Sequence, residues 1–195
     1  METITLITGA TAGIGRATAF KLAENKHNLI ITGRREERLQ KLKEEIENEY
    51  AVSVYYLAFD IRNNDEVSEA VDSLPEEWQN IDVLINNAGT GSKEDIMDAS
   101  DEKWQYYWDL HVMAAIRLSR MIVPMMNKTE DEGVILNTSS ICSKQPLDYE
   151  PIYNTTKAAL TMLSKCLANE LIDDKIRVNA VNPGLILTSD WKNTA

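Results

Sequence analysis

Tyr153 and Lys157 stand four residues apart in Tyr-Asn-Thr-Thr-Lys, and Ser140 lies thirteen residues before the tyrosine. Residues four apart on a helix share a face. An ammonium beside a phenol favours the ionised phenol, because an opposite charge nearby lowers an acid's pKa. A phenol tuned in this way exchanges protons near neutral pH, which a free tyrosine does poorly. Each residue alone has a plainer reading: a packing tyrosine, a solvated helix lysine and turn serines. Ser140 is preferred to the adjacent Ser139 on its spacing to Tyr153.

A second cluster lies near the amino end, where Gly9, Gly13 and Gly15 fall between a strand and a helix. Missing side chains let backbone approach a pyrophosphate, and the helix amino end offers free N–H groups to it. A phosphate-bearing hydride carrier at one end and a tuned phenol at the other point to an oxidoreductase. About twenty residues past such glycines, an acid accepts the 2′-hydroxyl of NAD, whereas arginine accommodates a 2′-phosphate. Here the chain reads Thr32-Gly33-Arg34-Arg35, which favours NADP(H) over NAD(H). The competing reading leaves Arg34 and Arg35 as surface charges and gives the ribose to Glu36. Asp60 ends a strand, where it accepts from an adenine amino group or caps the next segment. Asn86-Asn87-Ala88-Gly89 reads as a polar turn under the cofactor ribose or as a purely structural one.

These residues need strands and helices to carry them, and the chain alternates the two. Strands are predicted at 3–8, 29–32, 52–59, 81–85, 134–137 and 176–181. Helices are predicted at 14–25, 36–50, 64–74, 101–127 and 149–172, with Pro124 kinking or ending the fourth. The fold class is α/β: a Rossmann-like, doubly wound parallel sheet with helices on both faces, in one domain over 1–195. The functional positions all follow carboxyl ends of strands, where ligands bind in open α/β sheets.

Composition excludes other classes. Of 195 residues, 31 are acidic and 20 basic, for a net charge of -11, which repels nucleic acid. No apolar run approaches the ~20 residues that cross a bilayer, and the amino end lacks a signal-peptide pattern, so no membrane partner is expected. Cys142 and Cys166 read as reduced thiols of a cytoplasmic protein. No metal site is read from the chain.

The whole pattern resembles the short-chain dehydrogenase/reductase family. Its marks are Thr8 through Gly15, Asp60, Asn86 through Gly89, Ser140, Tyr153-x-x-x-Lys157 and Asn182-Pro183-Gly184 with Thr188. The resemblance implies that Tyr153 is the acid in reduction and the base in oxidation. It implies that Lys157 holds the nicotinamide ribose and lowers the phenol pKa, while Ser140 bonds the substrate oxygen. Thr11, Ala12 and Ile14 join the glycines at the cofactor, with Ile61 beside Asp60, and Asn87, Ala88 and Gly89 along the adenosine and ribose. Pro183, Gly184 and Thr188 would contact the nicotinamide end. The partner implied is a small carbonyl or alcohol, and the assembly a homodimer or homotetramer built on the helices at 101–127 and 149–172.

Two departures stand out. His111 occupies the position where the family has an asparagine that helps hold a relay water. Either the imidazole takes over that role as a titratable group, or it packs in the helix interface. Relatives also continue past the equivalent of Thr188, so a fragment lacking a substrate lid and last strand is expected. The alternative function is an NADP-binding protein without turnover. Cys142, Gln145, Tyr149 and Trp191 are candidates for the substrate entrance.

Overall fold

Short β-branched runs alternate with amphipathic stretches, and the runs are buried between two layers of helices. The computed structural model describes residues 3–91, 93–126 and 132–188. In chain order the main elements are β1 (Ile4–Ile7), α1 (Gly13–Glu24), β2 (Asn28–Gly33), α2 (Glu36–Glu49), β3 (Val54–Ala58) and α3 (Asn64–Asp72). They continue with β4 (Val83–Asn86), α4 (Asp101–Trp108), α5 (Ala114–Ile122), β5 (Gly133–Thr138), α6 (Pro151–Glu170) and β6 (Ile176–Val181). The strands form one sheet in the order β3-β2-β1-β4-β5-β6. Every pair is parallel, with Leu6 of β1 level with Ile30 of β2 and Leu84 of β4. Strand order reverses between β1 and β4, which opens a crevice at their carboxyl ends.

Successive strand residues face opposite sides, yet Leu6 and Ile7 are both fully buried. Both faces are therefore covered, as a parallel sheet requires. On one face Ile7, Leu29 and Ile31 meet Ala19 and Ala23 of α1 and Leu39, Leu42 and Ile46 of α2. On the other, Leu6, Ile30, Leu84 and Ile135 meet Val67 and Val71 of α3 and Leu118 and Ile122 of α5. Burial of each large aliphatic side chain contributes about 1.5–3 kcal/mol, so this layering outweighs local propensity.

Most predicted elements are present, with ends shifted by a residue or two. The long helix expected at 101–127 is the clear exception. It is wound as α4, then a π-helical turn over Asp109–Met113, then α5. A π turn admits one extra residue without any glycine or proline to announce it, so periodicity does not reveal it. Pro124 lies in a 3₁₀ turn at Val123–Met125, directly after α5. The expected end at Asn127 lies outside the described residues. Helix α6 starts two residues later than predicted, with Pro151 at its first position, where the missing N–H costs nothing. Among the described residues, no helix is long and apolar enough to cross a membrane.

Candidate active site

The glycine turn is shaped by backbone closeness. Gly9 has φ +66, and a Cβ there would lie 2.8 Å from the Ala88 Cα. At Gly15, a Cβ would overlap the Gly9 carbonyl oxygen and stand 2.5 Å from Asn87 Nδ2. Asn87 Nδ2 donates to the Thr8 carbonyl at 3.0 Å. The Thr8 hydroxyl accepts from the N–H groups of Asn87 at 2.9 Å and Ala88 at 3.0 Å. The turn after β4 is thus bolted to the turn after β1. Thr8 entered the sequence reading only as the first residue of the glycine motif; its role in joining the two turns is a finding of the structure.

Thr11, Ala12, Gly13 and Ile14 are partly exposed at the start of α1, where free N–H groups face the crevice. Thr188 reaches over the same turn: a Cβ at Gly13 would lie 3.4 Å from its Cγ2. Gly33, at the end of β2, backs onto Thr11, whose Cγ2 would stand 3.2 Å from an added Cβ. The glycine therefore keeps a side chain from crowding the turn where an NAD-type acid would sit. Arg34 and Arg35 are exposed, and the Arg34 charge acts on Asp60 across the edge. Arg35 is the residue preceding α2.

Asp60 is held by a residue outside the predicted set. Arg62 Nε donates to Oδ1 at 3.0 Å and its terminal nitrogen to Oδ2 at 2.5 Å. This bonding, with the Arg62 charge, holds the Asp60 carboxyl below its usual range. The alternative of Asp60 as a cap for the next segment is met at the turn, where its Oδ1 accepts from Arg62 N at 3.0 Å, while α3 itself is capped by Asn63, accepting from Asp65 N at 3.1 Å. Ile61 is buried in the core beneath. Together these groups could hold a dinucleotide, with the glycines toward a pyrophosphate and Arg34 and Asp60 toward an adenosine.

Ser140, Tyr153 and Lys157 converge at the carboxyl end of β5. The two serines there divide their work. Ser139 Oγ donates to the Lys157 carbonyl at 2.8 Å and pairs with Thr161 Oγ1 at 2.7 Å, so it braces α6. The Ser140 hydroxyl instead accepts from Cys142 N at 3.4 Å and lies near enough to the Tyr153 phenol to lower its pKa. Lys157 Nζ donates to the Thr138 carbonyl at 2.7 Å and lies 5.5 Å from the Tyr153 ring centroid. Only 3% of Lys157 is exposed.

Burial, not the ammonium, dominates the phenol. It pushes Tyr153 up to about 12, against a lowering contribution from Ser140. Burial also pulls Lys157 down from 10.5 to about 8. The expected depression of the phenol pKa by Lys157 is therefore not found. Desolvation penalises the phenolate, and the opposing contribution comes from Ser140 rather than from the lysine.

His111 sits on the π-helical turn with 2% exposure. The Thr90 N–H donates to its Nε2 at 3.3 Å, so Nδ1 carries the proton and donates to Thr156 Oγ1 at 2.8 Å. Thr156 in turn donates to the Tyr153 carbonyl at 3.1 Å. Both ring nitrogens are thus engaged by protein. Burial, then the Lys157 charge, holds the imidazole well below 6.5. Of the two readings of His111, this geometry matches the packed one: a neutral ring that ties the loop after β4 to α6, with no nitrogen left for a relay water.

On the far side, the Pro183 carbonyl accepts from Ile141 N at 3.0 Å, and Ser143 Oγ donates to Asn182 Oδ1 at 2.9 Å. These bonds hold the loop after β6 beside Ser140, while Gly184 stands clear of neighbours. Gly89 adjoins both His111 and Lys157, whose Nζ would lie 3.4 Å from an added Cβ. Among candidates for the entrance, Cys142 is buried and Tyr149 half exposed, while Trp191 lies outside the described residues. Among the described residues, no group of three potential metal ligands is present.

Comparison with known proteins gives this geometry a family. Residues 3–195 match the short chain dehydrogenase family. The NADP-dependent 3-hydroxy acid dehydrogenase of Escherichia coli K12 is 35% identical over 191 residues, 97% of this chain and 75% of that protein. The crystal structure of L-sorbose reductase from Gluconobacter frateurii, complexed with NADPH and L-sorbose, is similar at a TM-score of 0.95. It is 47% identical, over 99% of this chain and 73% of that one. A short-chain dehydrogenase from Sphingobium yanoikuyae in complex with NADPH aligns at 0.87, with 30% identity over 98% and 74%. This chain belongs to the short-chain dehydrogenase family.

Proposed function

We propose that the protein is an NADP(H)-dependent oxidoreductase that interconverts a carbonyl and an alcohol, with Tyr153 as the acid and base. The observation that carries this reading is the meeting of the Tyr153 phenol, the Ser140 hydroxyl and the buried Lys157 ammonium beside the glycine turn. The nicotinamide, when bound, supplies or accepts the hydride. In the reducing direction the carbonyl oxygen accepts from Ser140 and Tyr153, and the phenol proton passes to it as the alcohol forms. Preorganised donors at the oxygen lower the barrier because charge grows there. The lowered pKa of Lys157 lets it hand a proton back toward the phenol near neutral pH.

The glycine turn, Arg34 and Asp60 would hold the NADP(H), supported by NADP dependence of the relatives named above. His111 acts as a positioning residue that fixes the Tyr153 helix rather than as a proton carrier. Pro183, Gly184 and Thr188 would border the reacting end. The same reading includes a homodimer or homotetramer packed through α4–α5 and α6, which leave Trp108 and Met162 exposed.

The test is Tyr153→Phe. Calorimetry should find NADPH bound as tightly as by the unaltered protein, while carbonyl-dependent NADPH oxidation falls by about 10²–10⁴-fold. Turnover that survives the change would remove Tyr153 from the chemistry.

A further inference from the structure

Glu150 immediately precedes α6, three residues before Tyr153, and it has no part in the chemistry above. Its carbonyl accepts from Asn154 N at 2.8 Å, which makes it part of the first turn of the catalytic helix. The side chain is partly buried against the loop after β4. A Cβ at Gly91 would overlap Glu150 Oε1, so glycine there makes room for the carboxylate. The Gly91 carbonyl is itself fixed by the Tyr107 hydroxyl at 2.8 Å.

Among the described residues, no donor hydrogen-bonds the Glu150 carboxylate. The cation that acts on it is Lys93, which is exposed and acts at longer range. Its other charged and titratable neighbours are Tyr153 on α6, Cys142 on the turn after β5 and Tyr107 on α4. Its negative charge makes each of these hold its proton more tightly. An acceptor with spare lone pairs therefore stands beside Gly91 at the start of the Tyr153 helix, close enough for its charge to act on the phenol. The carboxylate is half-buried and still reachable, so it can accept from a ligand that brings a donor. A like charge brought to the same place is disfavoured, and more strongly where water is scarce.

We propose that Glu150 sets the charge class of the substrate. The pocket takes an uncharged carbonyl or alcohol with a neighbouring hydroxyl that donates to this carboxylate, and it turns away substrates with a carboxylate there. This rests on the reading of Tyr153 as the acid and base. It separates the chain in substrate from its 3-hydroxy acid dehydrogenase relatives despite their shared fold. Burial raises the Glu150 carboxyl above its ordinary pKa, so discrimination against anions weakens as the pH falls toward that range and Glu150 is neutralised.

The experiment compares NADPH-dependent reduction of dihydroxyacetone and hydroxypyruvate, which differ by one hydroxymethyl group against one carboxylate. The unaltered protein should prefer dihydroxyacetone in kcat/KM by about a hundredfold, in line with pockets built around a hydroxyl. Glu150→Gln should cut that ratio at least about tenfold, mainly through KM. It should also abolish the gain in hydroxypyruvate reduction seen at low pH. Calorimetric titration of both compounds into the NADPH-loaded protein gives the same ratio without turnover. An unaltered protein that binds both compounds in this ratio but reduces neither would overturn the role of Tyr153 and leave that of Glu150 standing. An unchanged ratio in Glu150→Gln, or a preference of the unaltered protein for hydroxypyruvate, overturns the proposal.

Discussion

The glycine turn and the Tyr153 cluster sit at the same edge of the sheet but are built on opposite principles. At the glycine turn, backbone packs on backbone: Gly15 on Gly9, Gly9 on Ala88, and Asn87 on the Thr8 carbonyl. No ionisable side chain is buried there. Around Tyr153, Lys157 and His111 are buried polar groups whose positions cost stability. In the first region the surface proposed to bind the cofactor is also tightly packed backbone. In the second, stability is given up around the proposed acid and base.

The largest effect that would test this contrast is expected at Gly15. Gly15→Ala places a methyl group against backbone that has no room to yield, so a loss of about 2–4 kcal/mol is expected. Thermal melting would measure it, and a variant as stable as the unaltered protein would mean that the turn is slack.

Lys157→Met should do the opposite: stabilise the fold while slowing the reaction. A lysine pKa lowered from 10.5 to about 8 corresponds to about 3 kcal/mol at neutral pH. Because the folded pKa is depressed, the stability lysine allows at high pH is lost as the pH falls from 10.5 through 8. Replacing it removes that penalty, offset by about 1 kcal/mol for the Thr138 carbonyl left without its donor. A net rise in Tm at pH 7, disappearing above pH 10, is expected. Kinetics sharpen the point. Alcohol oxidation should rise through about pH 8, where the Tyr153–Lys157 pair gives up its first proton, and the step belongs to the pair. In the methionine variant the rise should move toward 12, the value that burial imposes on the phenol. A step that stays near 8 would assign it to another group.

The smallest effects concern the paired serines. Ser140→Ala should lower kcat by about 10²-fold with little change in Tm, since its hydroxyl faces the phenol. Ser139→Ala should cost about 1 kcal/mol of stability and leave the rate nearly intact, because its bonds brace α6. Equal effects in both assays would erase the division between them.

Much of this was readable in the chain. The alternation of strand and helix, the glycine turn and the four-residue spacing of Tyr153 and Lys157 are local patterns, and all have structural counterparts. The π-helical turn under His111 was not readable, since it obeys the same apolar periodicity as the α-helix it interrupts. Neither was the bidentate hold of Arg62 on Asp60, for nothing in Asp-Ile-Arg marks a side chain that folds back. Spacing to Tyr153 picked Ser140, but what Ser139 does instead, bracing α6 through the Lys157 carbonyl and Thr161, depends on strand orientation and was not readable.

The sequence by itself determined the layered α/β fold and the small set of residues able to do hydride and proton chemistry. It did so because turns, helical faces and strand alternation depend on neighbours a few positions away. The tertiary structure decided which of those groups are charged, which are committed to holding the fold, and which meet an open carboxylate at Glu150. Those outcomes depend on desolvation and on contacts between segments 50 to 80 residues apart, as where Asn87 meets Thr8. Burial raised the phenol that spacing alone would have lowered, because the loss of water around Tyr153 outweighs the help it receives from Ser140.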